Sequence, residues 1–229
     1  MADQKNTATR RTPTAAAYTV PGLALEDGHR VAELLQGRLH ALNDLQLTLK
    51  HAHWNVVGPG FIGVHEMLDP QIEKVRAMVD EVAERMATLG VSPQGTPGAL
   101  VSDRTWDDYS LGRAGVREHL AALDVVYDGV ITDHRTAIET VGELDPITED
   151  MLIAEVNELE LFQWFMRSFL TNAAGELDHG DAQALREAAG RVRDREDLKP
   201  AAEKSVASKP EAKKGGAKKQ RAKKADATK

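Results

Sequence analysis

Apolar positions fall at helical spacing along most of the chain. Leu35, Leu42 and Leu49 recur at seven, and Val31, Leu34, Leu39 and Leu45 widen the same face, which predicts a helix within 26–57. Gly58-Pro59-Gly60 ends it, since proline cannot continue a helix and glycine suits a left-handed cap. Val64, Met67, Leu68, Ile72, Val75, Val79, Val82, Met86 and Leu89 predict a second helix over 62–89, stopped by Gly90. Pro70 lies inside this pattern, so the helix either kinks there or begins near it. Residues 91–109 are rich in Gly and Pro and read as a long connection. Val116, Leu120, Leu123, Val126, Val130, Ile131 and Ile138 restore the helical period over 113–141. Asp145-Pro146 opens a last helix and Gly175 closes it. Val and Ile never alternate with polar residues, so no strand is expected.

Four long amphipathic helices joined by short, long and short connections predict an all-α fold: a ferritin-like four-helix bundle with one long crossover. Residues 20–180 form this domain. Residues 181–198, rich in Ala, Arg and Glu, are a candidate short exposed helix, and no internal repeat is visible. Residues 199–229 contain Val206 as their single large apolar side chain and no aromatic, too little apolar surface to offset the entropy of ordering, so a disordered Lys/Ala-rich tail is expected. Residues 1–19 read as a disordered basic extension.

With 41% apolar residues, about 160 positions suffice for one core. The absence of Cys excludes disulfides, thiolate metal sites and Cys nucleophiles. No apolar run nears the ~18 residues of a membrane span, and Lys5, Arg10 and Arg11 precede no hydrophobic stretch. A soluble, cytoplasmic protein without membrane partners is expected. Charge divides the chain further. The tail carries +8 and the first nineteen residues +2, so the whole-chain −7 leaves −17 on residues 20–198. An acidic body with basic ends has two kinds of partner in view.

His65/Asp69 and Asp80/Glu84 are pairs spaced by four, which places each pair on one helix face. Imidazole and carboxylate without sulfur suit iron, manganese or zinc, and His53, at the end of the first helix, is a further donor. Asp69 and Asp80 stand eleven residues apart, ~16 Å along a helix, so one chain cannot bring both pairs to one ion. A twofold axis can, with His53, His65 and Asp69 of one subunit facing Asp80 and Glu84 of another. A different arrangement, Glu-x-x-His motifs inside one bundle, occurs at Glu26/His29 and Glu176/His179, at helix fringes beside Gly28 and Gly175.

The run from Lys50-His51-Ala-His53-Trp54-Asn55 through Gly58-Pro59-Gly60-Phe61 to His65 and Asp69, continuing to Asp80 and Glu84, resembles the signature of the Dps family, DNA-binding proteins from starved cells. The resemblance spans about residues 20–180, includes Phe162-Gln163-Trp164-Phe165, and is nearest to actinobacterial members with basic C-terminal tails. It implies a hollow homo-dodecamer. It further implies two iron ions at each inter-subunit site, held by His53, His65, Asp69, Asp80 and Glu84 as geometry alone suggested. Fe(II) and hydrogen peroxide are the implied substrates, with ferric oxide stored inside the shell. Trp54 resembles the family's site-adjacent tryptophan, which takes up oxidising equivalents; plain core packing is its other reading.

Asp145, Glu149 and Asp150 are candidates for an iron-entry pore, or else ordinary acids favoured by a helix N-terminus. In the tail, Lys213, Lys214, Lys218, Lys219, Arg221, Lys223 and Lys224 suit sequence-independent contacts to DNA phosphates, since no stacking aromatic or rigid helix reads bases there. Twelve such tails on one shell would bind together far better than one. The expected function is an iron-storage ferroxidase that binds DNA, associates with the nucleoid and limits peroxide damage under starvation. The alternatives are a nucleoid-compacting structural protein with a weak metal site, and a mini-ferritin that does not bind DNA.

Overall fold

A computed structural model describes residues 15–178, 180 and 182–190. Four long helices dominate: α1 (Leu25–Asn55), α2 (Phe61–Thr88), α4 (Val116–Gly142) and α5 (Pro146–Leu170). Between them lie α3 (Pro97–Asp103), strands β1 (Val56–Val57) and β2 (Ala114–Gly115), and, near the end, α6 (Ala182–Ala188). The helical stripes turn inward as their spacing requires. Leu35, Leu42 and Leu49 of α1 meet Leu68, Ile72 and Val75 of α2, Leu120 and Leu123 of α4, and Leu159 and Met166 of α5 in one core, all nearly inaccessible to water. Tyr127 is fully buried there, and its hydroxyl donates to Gln71 Oε1 at 3.0 Å, tying α4 to α2.

The termini follow their caps. Gly60 begins α2 with φ +80°, and Pro70 sits within an unbroken helix on its exposed side. Gly90 ends α2: its N–H donates to the Ala87 carbonyl and that of Val91 to Met86, the paired bonds of a Schellman motif. Gly90 has φ +87°, and a Cβ there would lie 2.2 Å from the Tyr18 carbonyl oxygen. Asp145 caps α5 ahead of Pro146, accepting from the Ile147 N–H.

Several expectations change. Val56 and Val57 leave the first helix and pair in parallel with Ala114 and Gly115, so strand is present where none was expected. Two residues per strand are too few for any alternation to appear. The long connection holds α3, announced by Thr96, whose hydroxyl accepts from Ala99 N–H, and by Pro97 at the first turn. α5 stops at Leu170, not at Gly175. Thr171 turns extended and bridges to Leu177, and Gly175 (φ +83°) lies in the tight turn between them, where Asn172 Oδ1 accepts from the N–H groups of Ala174 and Glu176.

The expected exposed helix is short and partly buried. Ala188 and Ala189 are covered, and Gly190 fits against the backbone of Asp107 and Asp108, its carbonyl accepting from the Asp107 N–H at 2.8 Å. The N-terminal extension is described from Ala15, which bridges to Val91, while the Ala16 N–H donates to the Gly90 carbonyl at 2.7 Å. The basic residues of the N-terminal extension and the whole of 199–229 lie outside the described residues.

Candidate metal centre

α1 and α2 are antiparallel neighbours joined by a tight turn, and the turn brings His53 and His65 face to face. Their rings stack with centroids 3.7 Å apart and planes 21° from parallel. Each uses Nδ1 in the same way: His53 Nδ1 lies 2.9 Å from the His65 carbonyl, and His65 Nδ1 3.0 Å from the His53 carbonyl. A carbonyl only accepts, so both Nδ1 atoms carry the proton and both Nε2 atoms keep a free lone pair. A carbonyl on Nδ1 of this kind fixes the tautomer and orientation of a metal-binding imidazole.

Asp69 completes the group. Its Oδ1 stands 3.3 Å from His53 Nδ1 and 2.7 Å from Lys50 Nζ. The hydrogen bond from the Lys50 ammonium, assisted by the charges of Lys50 and the nearby imidazoles, holds the Asp69 carboxyl below its usual range against the opposing effect of desolvation. Asp69 is therefore ionised at neutral pH with the Lys50 ammonium on Oδ1. The sequence reading missed this role of Lys50. Its spacing, three residues before His53, is one helical turn and carries the signal. His51, by contrast, sends Nε2 to the Leu111 carbonyl at 2.7 Å, fastening the crossover to α1.

Asp80 and Glu84 are exposed about three and four turns beyond Asp69 along α2, on the flank that also carries Glu73 and Arg76. They do not reach the histidines within one chain. Among the described residues, no group of three or more His, Asp and Glu closes around one point. Trp54 is 70% exposed beside the pair, which removes the reading of core packing within the chain. Leu47, Phe61 and Ile62 of α1 and α2 are exposed as well.

The pore candidates separate. Asp145 is buried: Oδ2 accepts from Arg85 Nη2 at 2.6 Å and from the Thr148 hydroxyl. Burial opposes ionisation, but Thr148, Arg85 and the Ile147 N–H outweigh it and hold the carboxyl below its usual range. Asp145 is thus a helix cap engaged with Arg85. Glu149 is half-buried against Gly142, and Asp150 is exposed. Of the in-bundle alternative, Glu176 accepts from Asn172 Nδ2 at 3.2 Å, Glu26 is exposed, and His179 lies outside the described residues, as do the seven basic residues proposed for DNA.

A second histidine–carboxylate pair was not anticipated. His134 of α4 and Glu155 of α5 are 0% and 2% exposed, with Nε2 and Oε2 3.7 Å apart. Burial pushes the His134 imidazole down to about 3, with Arg38 adding to the fall. Burial and the charge of Glu81 push the Glu155 carboxyl up to about 8.

A family model described as a ferritin-like domain matches residues 32–175. The DNA protection during starvation protein of Mycolicibacterium smegmatis is 58% identical over 77% of this chain and 97% of its own length. The fine tangled pili major subunit of Haemophilus ducreyi is 54% identical over 71% of this chain and 86% of its own. The solved structure of Mycobacterium smegmatis Dps in a tetragonal form superposes with a TM-score of 0.71 at 60% identity, covering 72% of this chain and 99% of that one.

Proposed function

This chain belongs to the Dps family of ferritin-like proteins, and on that footing we propose that it stores iron and protects DNA, oxidising Fe(II) at a site shared between two subunits. The observation that carries the reading is the reciprocal pair His53/His65. Backbone carbonyls fix both tautomers, leaving two Nε2 lone pairs beside the ionised Asp69.

The missing acids come from a second copy. His65 and Glu84 are equally far from the middle of the 65–84 stretch, and so are Asp69 and Asp80. An antiparallel α2–α2 contact about a twofold axis there sets Glu84 against His65 and Asp80 against Asp69 of the other subunit. The exposed Leu47, Trp54, Phe61 and Ile62 supply apolar surface for such a contact. Two Fe(II) per site are the substrate. Asp69 exchanges its Lys50 ammonium for an ion, His53 and His65 supply nitrogen, and Asp80 and Glu84 of the second subunit add anionic oxygen. Hydrogen peroxide takes one electron from each of two Fe(II) and, with two protons, leaves as water, so no one-electron hydroxyl radical is released. Trp54, exposed at this edge, is placed to intercept stray oxidant. The resulting ferric oxide collects inside a dodecameric shell, and the −17 body concentrates cations.

DNA contact belongs to the tail, through Lys213, Lys214, Lys218, Lys219, Arg221, Lys223 and Lys224, without base reading. No helix among the described residues is long and apolar enough to cross a membrane. A cytoplasmic, nucleoid-associated protein fits these properties. The test is an anaerobic Fe(II) titration of the full chain followed by peroxide, with the particle sized in parallel. Saturation near two ions per site, rapid oxidation and a particle of about twelve chains are expected; a monomer with full activity would overturn the reading. Truncation after Leu198 should abolish gel retardation of DNA and leave oxidation unchanged. In the full chain, affinity should fall with salt at a slope of about −0.9 per phosphate engaged. Equal retardation by both forms would remove the tail from the proposal.

A further inference from the structure

The interior of the bundle contains polar side chains from α1, α4 and α5 that the inter-subunit site does not use. Arg38 of α1 lies 3.4 Å from His134 Nδ1, and His134 of α4 faces Glu155 of α5. Arg38 precedes His53 by fifteen residues, ~22 Å along α1, so this layer is separate from the stacked histidines.

Three polar atoms in the layer have no hydrogen-bond partner: His134 Nε2 and both carboxylate oxygens of Glu155. All three are buried, and unpaired buried polar atoms are costly. His134 Nδ1 is 2.8 Å from the Val130 carbonyl, which only accepts, so Nδ1 carries the proton and Nε2 presents a lone pair. Nε2 and Oε2 are 3.7 Å apart, too far for a hydrogen bond. His134 Nε2 and the Glu155 carboxyl thus face each other with no hydrogen-bond partner from the rest of the chain.

We propose that His134 Nε2 and the Glu155 carboxylate bind a divalent first-row cation within the single chain. Such an ion sits about 2.0–2.2 Å from nitrogen and oxygen donors, which a bent N–metal–O arrangement accommodates across the observed gap. The donor set, one imidazole and one carboxylate without sulfur, suits zinc, iron(II) or manganese(II), with water completing the shell. Charge favours it too. Arg38, 3.4 Å from His134 Nδ1, is paired with Asp133 at 3.7 Å; the ion would displace the Glu155 proton and gain a second carboxylate nearby in Glu81. The Val130 carbonyl on Nδ1 orients the imidazole as the His53 and His65 carbonyls orient theirs.

The test silences the shared site first. Untagged full-length D80A/E84A protein, stripped of metal, is titrated anaerobically with Co(II) alone, and its thermal midpoint is measured with and without Zn(II). About one tightly held Co(II) per chain, with the visible absorption of a nitrogen–oxygen site, and a raised midpoint with Zn(II) are expected. Glu155→Gln in that background should remove both signals, and His134→Asn serves as the second variant if the first folds poorly. No saturable Co(II) in D80A/E84A would overturn the proposal and leave a proton as the sole occupant of the gap. Binding with an unchanged spectrum after either substitution would overturn it equally. These outcomes are independent of iron oxidation in the unaltered protein, so either reading can fail alone.

Discussion

His53 with Asp69 and His134 with Glu155 are both imidazole–carboxylate pairs, and both imidazoles are oriented by a backbone carbonyl on Nδ1. They differ in what surrounds the carboxylate. Asp69 is half exposed and bonded to Lys50, so it stays ionised and its charge is matched. Glu155 is 2% exposed and unbonded, so burial and Glu81 drive its carboxyl towards the neutral form. The same two chemical groups therefore behave in opposite ways. The open pair is ionised and faces solvent, whereas the closed pair is buried within one chain with its facing atoms unpaired.

The largest expected effect breaks the open pair from the far side. Asp80→Ala with Glu84→Ala should reduce peroxide-driven Fe(II) oxidation by about 100-fold or more, since loss of an outer partner alone costs 10–100-fold. Both residues are exposed, so circular dichroism should report nearly unchanged helix content. The control is Glu26→Ala with Glu176→Ala, which should oxidise iron normally. Exchanged outcomes would move the shared site into one bundle.

The two pairs also differ in how visible they are in the sequence. His65/Asp69 and Asp80/Glu84 share a helix, and a spacing of four is readable from one line of text. His134 and Glu155 sit on different helices, and their meeting depends on how α4 and α5 pack, which no local spacing encodes. The helices themselves were legible because Leu35, Leu42 and Leu49 repeat on one face. α3 and the β1–β2 pairing were not, because seven and two residues are too few to show a period, although Thr96-Pro97 announced the first. Gly175 misled as a stop signal. Its left-handed conformation serves a turn five residues beyond the end of α5, and composition cannot distinguish the two uses. Asp145 was correctly placed at a helix start, but the Arg85 that claims its carboxylate lies sixty residues away.

Asp145 sharpens the comparison because it is buried like Glu155 yet satisfied. Asp145→Ala removes a helix cap and leaves Arg85 without its partner, a loss of about 2 kcal/mol. Its folded-state carboxyl titrates below the unfolded one, so its contribution is present above the unfolded value and disappears as pH falls through the folded value. Thermal midpoints of the variant and the parent should differ at neutral pH and converge on acidification. A gap that persists unchanged into strong acid would mean that the carboxylate's charge contributes nothing.

Glu155 should show the reverse sign, with the smallest effect. Its folded-state carboxyl is raised to about 8, while the unfolded chain releases the proton near the ordinary value of 4.5. Between those values the folded state holds a proton that the unfolded state has lost, so rising pH favours unfolding. His134 works against this only below its ordinary 6.5, where the unfolded chain takes up a proton that the buried imidazole refuses. From pH 6.5 to 8, then, Glu155 acts alone within the pair. Metal-stripped parent protein should lose about 1 kcal/mol relative to Glu155→Gln across that interval, a figure kept below the full linkage value because buried sites relax. Parallel midpoint curves for parent and variant would show the carboxyl already ionised in the folded chain. The description of Glu155 as a neutral, buried counterpart of Asp69 would then be wrong.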